Sequence, residues 1–436
     1  MKEQILSKVF PNSAGIDIGS EKIFIGIEGK EVKNFSTFTS DYLKTIEYLK
    51  ENNIESVAME ATGVYWIALY DLLEQAGIKV FLVNPREVKN VPGRKSDVAD
   101  CQWIQQLHSL GLLRPCFIPE DIIRQIRTYT RLRQDHISLA TQHILHMQKA
   151  LDLMNVKLHN VISEIVGKSG LRILRAIVSG NHDPIKLANL CDDSILRNKK
   201  DLVIASLKGN FRDELIFSLK QALDAYDFYQ RQVLDCDKKI QALLELINQD
   251  KPNPPAITKA KHIRRNEPHI DNLHEHLFKL TGGKDPSQIV GLSDKSFLEL
   301  IGETGLDLTK WKTAKHFTSW LCLSPTKHQS GKSNKKTKRK GHSKAGQIFR
   351  NAAYAIASSK YSALTAFYQR MKARKGKLAA NKATARKIAV LYYNVMTKGI
   401  EYVEKGLNAY QQKLKEQQIM RLKKQAKHLG FQLITA

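Results

Sequence analysis

The apolar period of this 436-residue chain changes near Asp97, and that change limits it to an α/β beginning followed by a helical remainder. Before Asp97 the apolar runs are short. Gly15–Gly19 and Lys22–Glu28 read as strands around a turn, and Val32–Phe38 as a third. Ser40–Asn52 has helical spacing through Tyr42, Ile46 and Leu49. Ser56–Met59 reads as a strand ending at Glu60, Gly63–Gln75 as a helix, and Lys79–Val83 as a strand closed by Asn84-Pro85. Strands that lead the chain and then alternate with helices predict a mixed sheet covered by helices.

Beyond Asp97, Ile137, Ala140, Ile144, Met147, Leu151, Met154 and Leu158 keep a three-four spacing. Ile216, Leu219, Leu223, Tyr226, Val233, Ile240, Leu244 and Ile247 keep it too, with Gln230 and Asp237 as polar members. Such runs predict coiled-coil packing, within or between subunits, or an ordinary helical bundle. Lys251–Pro255 and the polar stretch to Gly283 read as a linker or exposed insertion. Its His262, His269, His274 and His276 read as surface histidines, since no cysteine accompanies them. The expected segments are 1–125, 126–250, 251–285, 286–400 and a basic helical tail, 401–436.

Charge adds the function class. The formal net charge is +26, and from Leu308 to Ile400 there are 22 Lys and Arg without one Asp or Glu. An excess of that size and segregation points to a polyanion, because each neutralised phosphate releases condensed counterions. The same stretch lacks the carboxylates that a hard cation needs. No apolar run is long enough to span a bilayer and no secretory signal is legible in Met1–Ala14, so a membrane surface is the weaker partner. Five scattered cysteines without a CxxC pair support neither a disulfide framework nor a zinc ribbon, and a cytoplasmic location is expected.

Four carboxylates stand where phosphoryl-transfer chemistry would want them. Asp17 lies mid-strand in GIDIGS, where a charge is costly unless paired or bound to metal. Glu60 ends the strand VAME. Asp97 and Asp100, in SDVAD, project from one helical face at i and i+3. Together they could hold one or two Mg²⁺ ions. Each has a plainer reading: a helix cap for Asp97 and Asp100, a solvated strand end for Glu60. GIDIGS also resembles the first strand and turn of sugar kinases and actin-like ATPases, but the later Gly-rich motifs those need are missing.

Ser324–Arg350 is a Lys- and hydroxyl-rich loop running into a helix at about Lys344. Lys332, Lys335, Lys336, Lys338, Arg339 and Lys340 supply phosphate-binding charge. Ser330, beside Gly331, is either a hydrogen-bond donor or a nucleophile, and Ser333 and Ser324 are alternatives to it.

These motifs resemble those of the DEDD-type insertion-sequence transposases, the RuvC-like recombinases guided by a bridge RNA. The resemblance rests on GIDIG at Asp17, MEATGVYW at Glu60, VNPREVKNVPGRKSDVAD at Asp97 and Asp100, and FTSWLCLSPTKHQSGKS followed by GHSKAGQIFRNAAYAIA. It departs where related chains carry Pro-Gly-Ile-Gly and this one has Val290-Gly291-Leu292-Ser293. The resemblance implies an RNase H-like amino-terminal domain, a helical coiled-coil middle and a mainly α basic carboxy-terminal domain. It also implies that Asp17, Glu60, Asp97 and Asp100 bind Mg²⁺ and that Ser330 forms a covalent phosphoserine link to DNA. The implied partners are donor and target DNA, a structured guide RNA, and further copies of the chain in a dimer or tetramer that shares acids and serine between subunits. Two rival readings remain at this point: a Holliday-junction-type nuclease using water, and a non-catalytic basic nucleic-acid-binding protein.

Overall fold

In a computed structural model the alternating runs of the first hundred residues pair into one sheet. The structure describes residues 7–88, 97–252, 266–325, 328–330, 333–335, 343–359, 362–399 and 407–431. By contact the chain divides into two units, Met1–Ile118 and Pro119–Ala436.

In the first unit, strands β1 (Ser13–Ile18), β2 (Lys22–Ile27) and β3 (Lys33–Ser36) form an antiparallel meander. Helix α1 (Thr39–Glu51) leads to β4 (Ser56–Glu60), which lies parallel to β1. Helix α2 (Trp66–Gln75) leads to β5 (Lys79–Val83), parallel to β4. The order is β3-β2-β1-β4-β5. Alternation assigns the two faces. Ala14, Ile16, Ile18, Val57 and Met59 are buried with Tyr42, Ile46 and Leu49 of α1 and with Leu69 and Leu73 of α2. Ala58 and Val83 face the other way and pack with Ile104 and with Val88 of the short α3 (Pro85–Val88).

Ile104 belongs to α4 (Asp97–Ser109), which lies unusually close to the sheet. Gly15 and Gly26 are register partners on β1 and β2. A Cβ on Gly15 would fall 2.2 Å from the Cys101 carbonyl oxygen and 2.3 Å from the Gln105 nitrogen. One on Gly26 would meet the Cys101 and Gln102 backbone at 3.0 Å. Two facing glycines therefore let the helix backbone rest on the strands.

The second unit is helical. Helices α5 (Asp121–Leu153) and α9 (Asp213–Asn248) pack antiparallel: Arg133 meets Asp237, His143 stacks on Tyr229, and Met147 and Leu151 share a core with Leu219 and Leu223. The periodic runs thus find each other within one chain. Around their connected ends, α6 (Lys168–Val178), α7 (Pro184–Ala188) and α8 (Asp193–Ser206) complete that core through Ile173, Leu187 and Val203. At the other ends lie α10 (Leu273–Leu280) and α11 (Asp294–Thr304), then α12 (Ala314–Trp320), α13 (Lys344–Ala355), α14 (Ala363–Lys375) and α15 (Lys377–Lys398). Phe317, Phe349 and Tyr392 form an aromatic core there, so the apolar side of this cationic segment turns inward. Helix α16 (Leu407–His428) ends the described chain.

One expectation is corrected. From residue 266 the polar stretch is not an exposed insertion: α10 buries Leu273, Leu277 and Phe278, and His274 is buried as well. Its Nδ1 lies 2.8 Å from Asp294 and its Nε2 3.7 Å from Asp285, so carboxylates compensate its polarity. The partners that let His274 be buried lie on later segments, which composition alone does not show. His262 lies outside the described residues. All five cysteines are free, and among the described residues no helix is long and apolar enough to cross a membrane.

A buried ion pair fixes the register of the long helices. The Arg133 guanidinium donates to Asp237 at 2.6 Å and to the Asn266 carbonyl at 3.1 Å, while Asp237 also accepts from the His269 amide at 3.0 Å. Asp237→Ala strands a buried guanidinium, and urea unfolding should show a loss of about 3–5 kcal/mol. The pair Arg133→Met with Asp237→Leu should lose much less. In the first unit, Gly15→Ala should cost at least ~1–3 kcal/mol in the same assay, because backbone rather than a side-chain tip must move.

Candidate active site

The register that places Gly15 under α4 also aims the acids. Side chains two apart on a strand share a face, so Asp17 points to the side of the sheet that α4 covers. The parallel ladder pairs Gly15 with Ala58 and Ile16 with Met59. Continued one residue, it sets Glu60 beside Asp17. Asp97 and Asp100 occupy the first turn of α4, which leads directly into the Cys101 backbone that rests on Gly15. Acids in a first helical turn are also favoured by the helix dipole.

The electrostatics report the same convergence. Asp17 is half-buried, and its pKa is raised to about 6, first by desolvation and then by the charges of Glu60, Asp97 and Asp100. Cys101 is buried alongside. Burial, reinforced by the Asp17 charge, pushes its thiol up to about 12, so it stays protonated and uncharged. Glu60 is buried and accepts a 3.4 Å hydrogen bond from the Thr62 hydroxyl. Asp97 is exposed and Asp100 half-buried. Among the described residues no three His, Cys, Asp or Glu side chains close around one point. The four acids share a field rather than a formed cage. Their hard oxygens and mutual repulsion suit a divalent cation, which would offset the burial and the repulsion that together hold a proton on Asp17.

The serine-bearing segment belongs to the second unit and is not wholly a loop. β6 (His328–Ser330) and β7 (Ser333–Lys335) form a short antiparallel hairpin in which Ser330 pairs with Ser333 and His328 with Lys335. Lys332, Lys336, Lys338, Arg339 and Lys340 lie outside the described residues, as do the side chains of Ser330, Ser333 and Lys335. Ser324 is half-buried, with its hydroxyl 3.3 Å from that of Thr318. Helix α13 begins at Lys344, capped by the Ser343 hydroxyl on the Gly346 amide.

Two features escape a reading of the sequence. The facing glycines that seat α4 are visible only once the register is known. The second is a cationic corner at Gly376, between α14 and α15, where Lys372, Arg374, Lys375 and Lys377 are all exposed. Its signal was present in the acid-free stretch, but the denser Lys run at 332–340 draws attention away from it.

Comparison with known families agrees with this layout. Residues 14–156 match the DEDD transposase family of IS110, and 287–369 match the transposase family IS116/IS110/IS902. No curated protein matches the chain. The first match contains all four acids and the second contains Ser330. The chain belongs to the DEDD-type IS110-family transposases, which act on DNA.

Proposed function

We propose that this transposase cuts and rejoins insertion-sequence DNA under the guidance of a structured RNA, through a Ser330 nucleophile and a Mg²⁺ site built by Asp17, Glu60, Asp97 and Asp100. The observation that carries the reading is the raised Asp17 in the field of the other three acids. A lone solvated carboxylate would have no reason to hold its proton to about 6. A bound Mg²⁺ would neutralise charge developing on the phosphoryl oxygens.

The chain's own groups then divide the work. Glu60 and Asp17, fixed at neighbouring strand positions, provide the rigid side of the cation site, and the helix acids provide the other. The Ser330 oxygen attacks phosphorus, a Ser Oγ–P bond forms, and the bond from phosphorus to the leaving sugar oxygen breaks. The serine proton passes to a base and the leaving oxygen takes one up. His328, two residues earlier on β6, is the nearest candidate base in sequence. The exposed cations of the second unit bind backbone phosphates, and RNA guidance and a shared dimeric or tetrameric site follow from the family resemblance.

Asp17→Asn should abolish Mg²⁺-dependent strand cleavage and leave nucleic-acid binding nearly intact. It should also raise the unfolding midpoint of the metal-free protein at neutral pH. The sign follows from the raised pKa: the folded state resists ionising Asp17, so wild-type stability falls as pH rises from about 4 to about 6, and the neutral amide escapes that loss. Cation affinity of the wild type should rise over the same window. Calorimetry from acid to neutral pH reads the stability and affinity effects, and a retained cleavage activity in Asp17→Asn would remove the acids from the mechanism.

Ser330→Ala should abolish the covalent protein–DNA adduct on denaturing gels while binding survives. An undiminished adduct would pass the role to Ser333 or Ser324. No adduct in the wild type, with cleavage present, would favour the nuclease that uses water.

A further inference from the structure

Helix α11 carries a carboxylate that the proposed chemistry does not use. Glu299 is half-buried, and burial pushes its pKa above the usual carboxylate range, against the pull of the Lys295 and Arg133 charges. Its neighbour Glu303 is matched by a fork from Arg131, at 2.7 and 2.9 Å. Glu299 has only Lys295, at 4.0 Å, and among the described residues no hydrogen bond reaches its oxygens. Its acceptor capacity is taken up by no other described group of the chain and is open to a donor entering from solvent.

The space in front of it is large enough for a guest. Glu299 lines a cavity of about 830 Å³ between α5, α11 and α13. Lys344 and Gln347 line the α13 side near its capped amino terminus, and Asn351 lies one turn further along. The Asn351 side-chain oxygen accepts from Gln347 at 2.8 Å, whereas its amide N–H groups have no acceptor among the described residues. The walls carry both signs, Arg131, Lys295 and Lys344 against Asp135, Glu267, Glu299 and Glu303, so a ligand that both donates and accepts matches them better than a simple ion. What fits both walls is a neutral planar group with adjacent N–H donors on one edge and acceptors on another.

We propose that this cavity receives an unpaired guanine of the bound nucleic acid, with Glu299 accepting from its N1–H and N2–H and the Asn351 amide donating to its O6 or N7. Guanine alone among the bases offers a carboxylate two adjacent donors, and thymine and uracil lack an exocyclic amino group. Lys344, at the mouth beside the helix terminus, would hold the attached phosphate. The inference rests on the nucleic-acid reading of the basic unit, and it names a base that this unit selects by contact rather than by charge.

The test uses the full chain and labelled oligothymidylates with one central guanine, inosine or thymine, in mildly alkaline buffer to keep Glu299 ionised. The guanine strand should bind roughly tenfold more tightly than the all-thymine strand, with inosine, which lacks N2–H, between them. Glu299→Gln should lose most of that preference and keep salt-dependent binding of the all-thymine strand. Asn351→Ala, on an exposed helical position, should weaken the preference without a folding defect. Equal binding of guanine and thymine strands by the wild type, or an unchanged preference in Glu299→Gln, would overturn the proposal. Failure of the wild type to bind any strand at low salt would instead bring down the nucleic-acid reading itself.

Discussion

The arrangement of the first unit depends on the approach of α4 to the β1–β2 pair. A helix normally stands off a sheet by the thickness of its side chains. Here Gly15 and Gly26 remove that layer, and the Cys101–Gln105 backbone sits directly on the strands. The first turn of the helix consequently comes within the electrostatic reach of Asp17. Like charges drawn together this way repel, and the favourable burial around Ala58, Val83 and Ile104 must offset that repulsion. The acidic site is an electrostatic cost imposed by packing.

The same logic separates the labours of the two units. The stretch from Leu308 to Ile400 has no acid to offer a cation, yet it folds around Phe317, Phe349 and Tyr392 and leaves Lys372, Arg374, Lys375 and Lys377 exposed. On the proposed reading, cation capture and phosphate binding therefore fall to different units of the chain. Neither composition would tolerate the other's role, since carboxylates would repel the nucleic acid and clustered lysines would repel the metal.

Much of this was legible in the sequence because it is written in short-range pattern. The alternation in GIDIGS and VAME, and the three-four spacing of Tyr42, Ile46 and Leu49, gave strands and helices close to those found. The convergence of four acids was legible as types at suitable positions, though not as a distance. What stayed hidden depends on register or on pairing across the chain. Gly15 and Gly26 look like ordinary strand glycines until β1 and β2 are aligned. His274 looks like a surface histidine until Asp285 and Asp294 are placed around it. Glu299 looks like any helical glutamate, because nothing local reveals that its oxygens lack donors. The hairpin at Ser330 was hidden for another reason: three-residue strands are too short to show a period.

The antiparallel pair of α5 and α9 has a geometric consequence. Its 36-residue member extends about 54 Å at the rise of an ideal helix, comparable to roughly 16 base-pair steps of duplex. The α6–α8 cluster occupies one end and the basic helices the other. Since Arg133 and Asp237 admit one alignment, this span cannot adjust by sliding. The strut works as a ruler graduated in residues, and an insertion that respects the packing must lengthen both helices together by whole turns. Elongating one helix alone would rotate the far end about the axis, so the chain can change the reach of this arm only in steps.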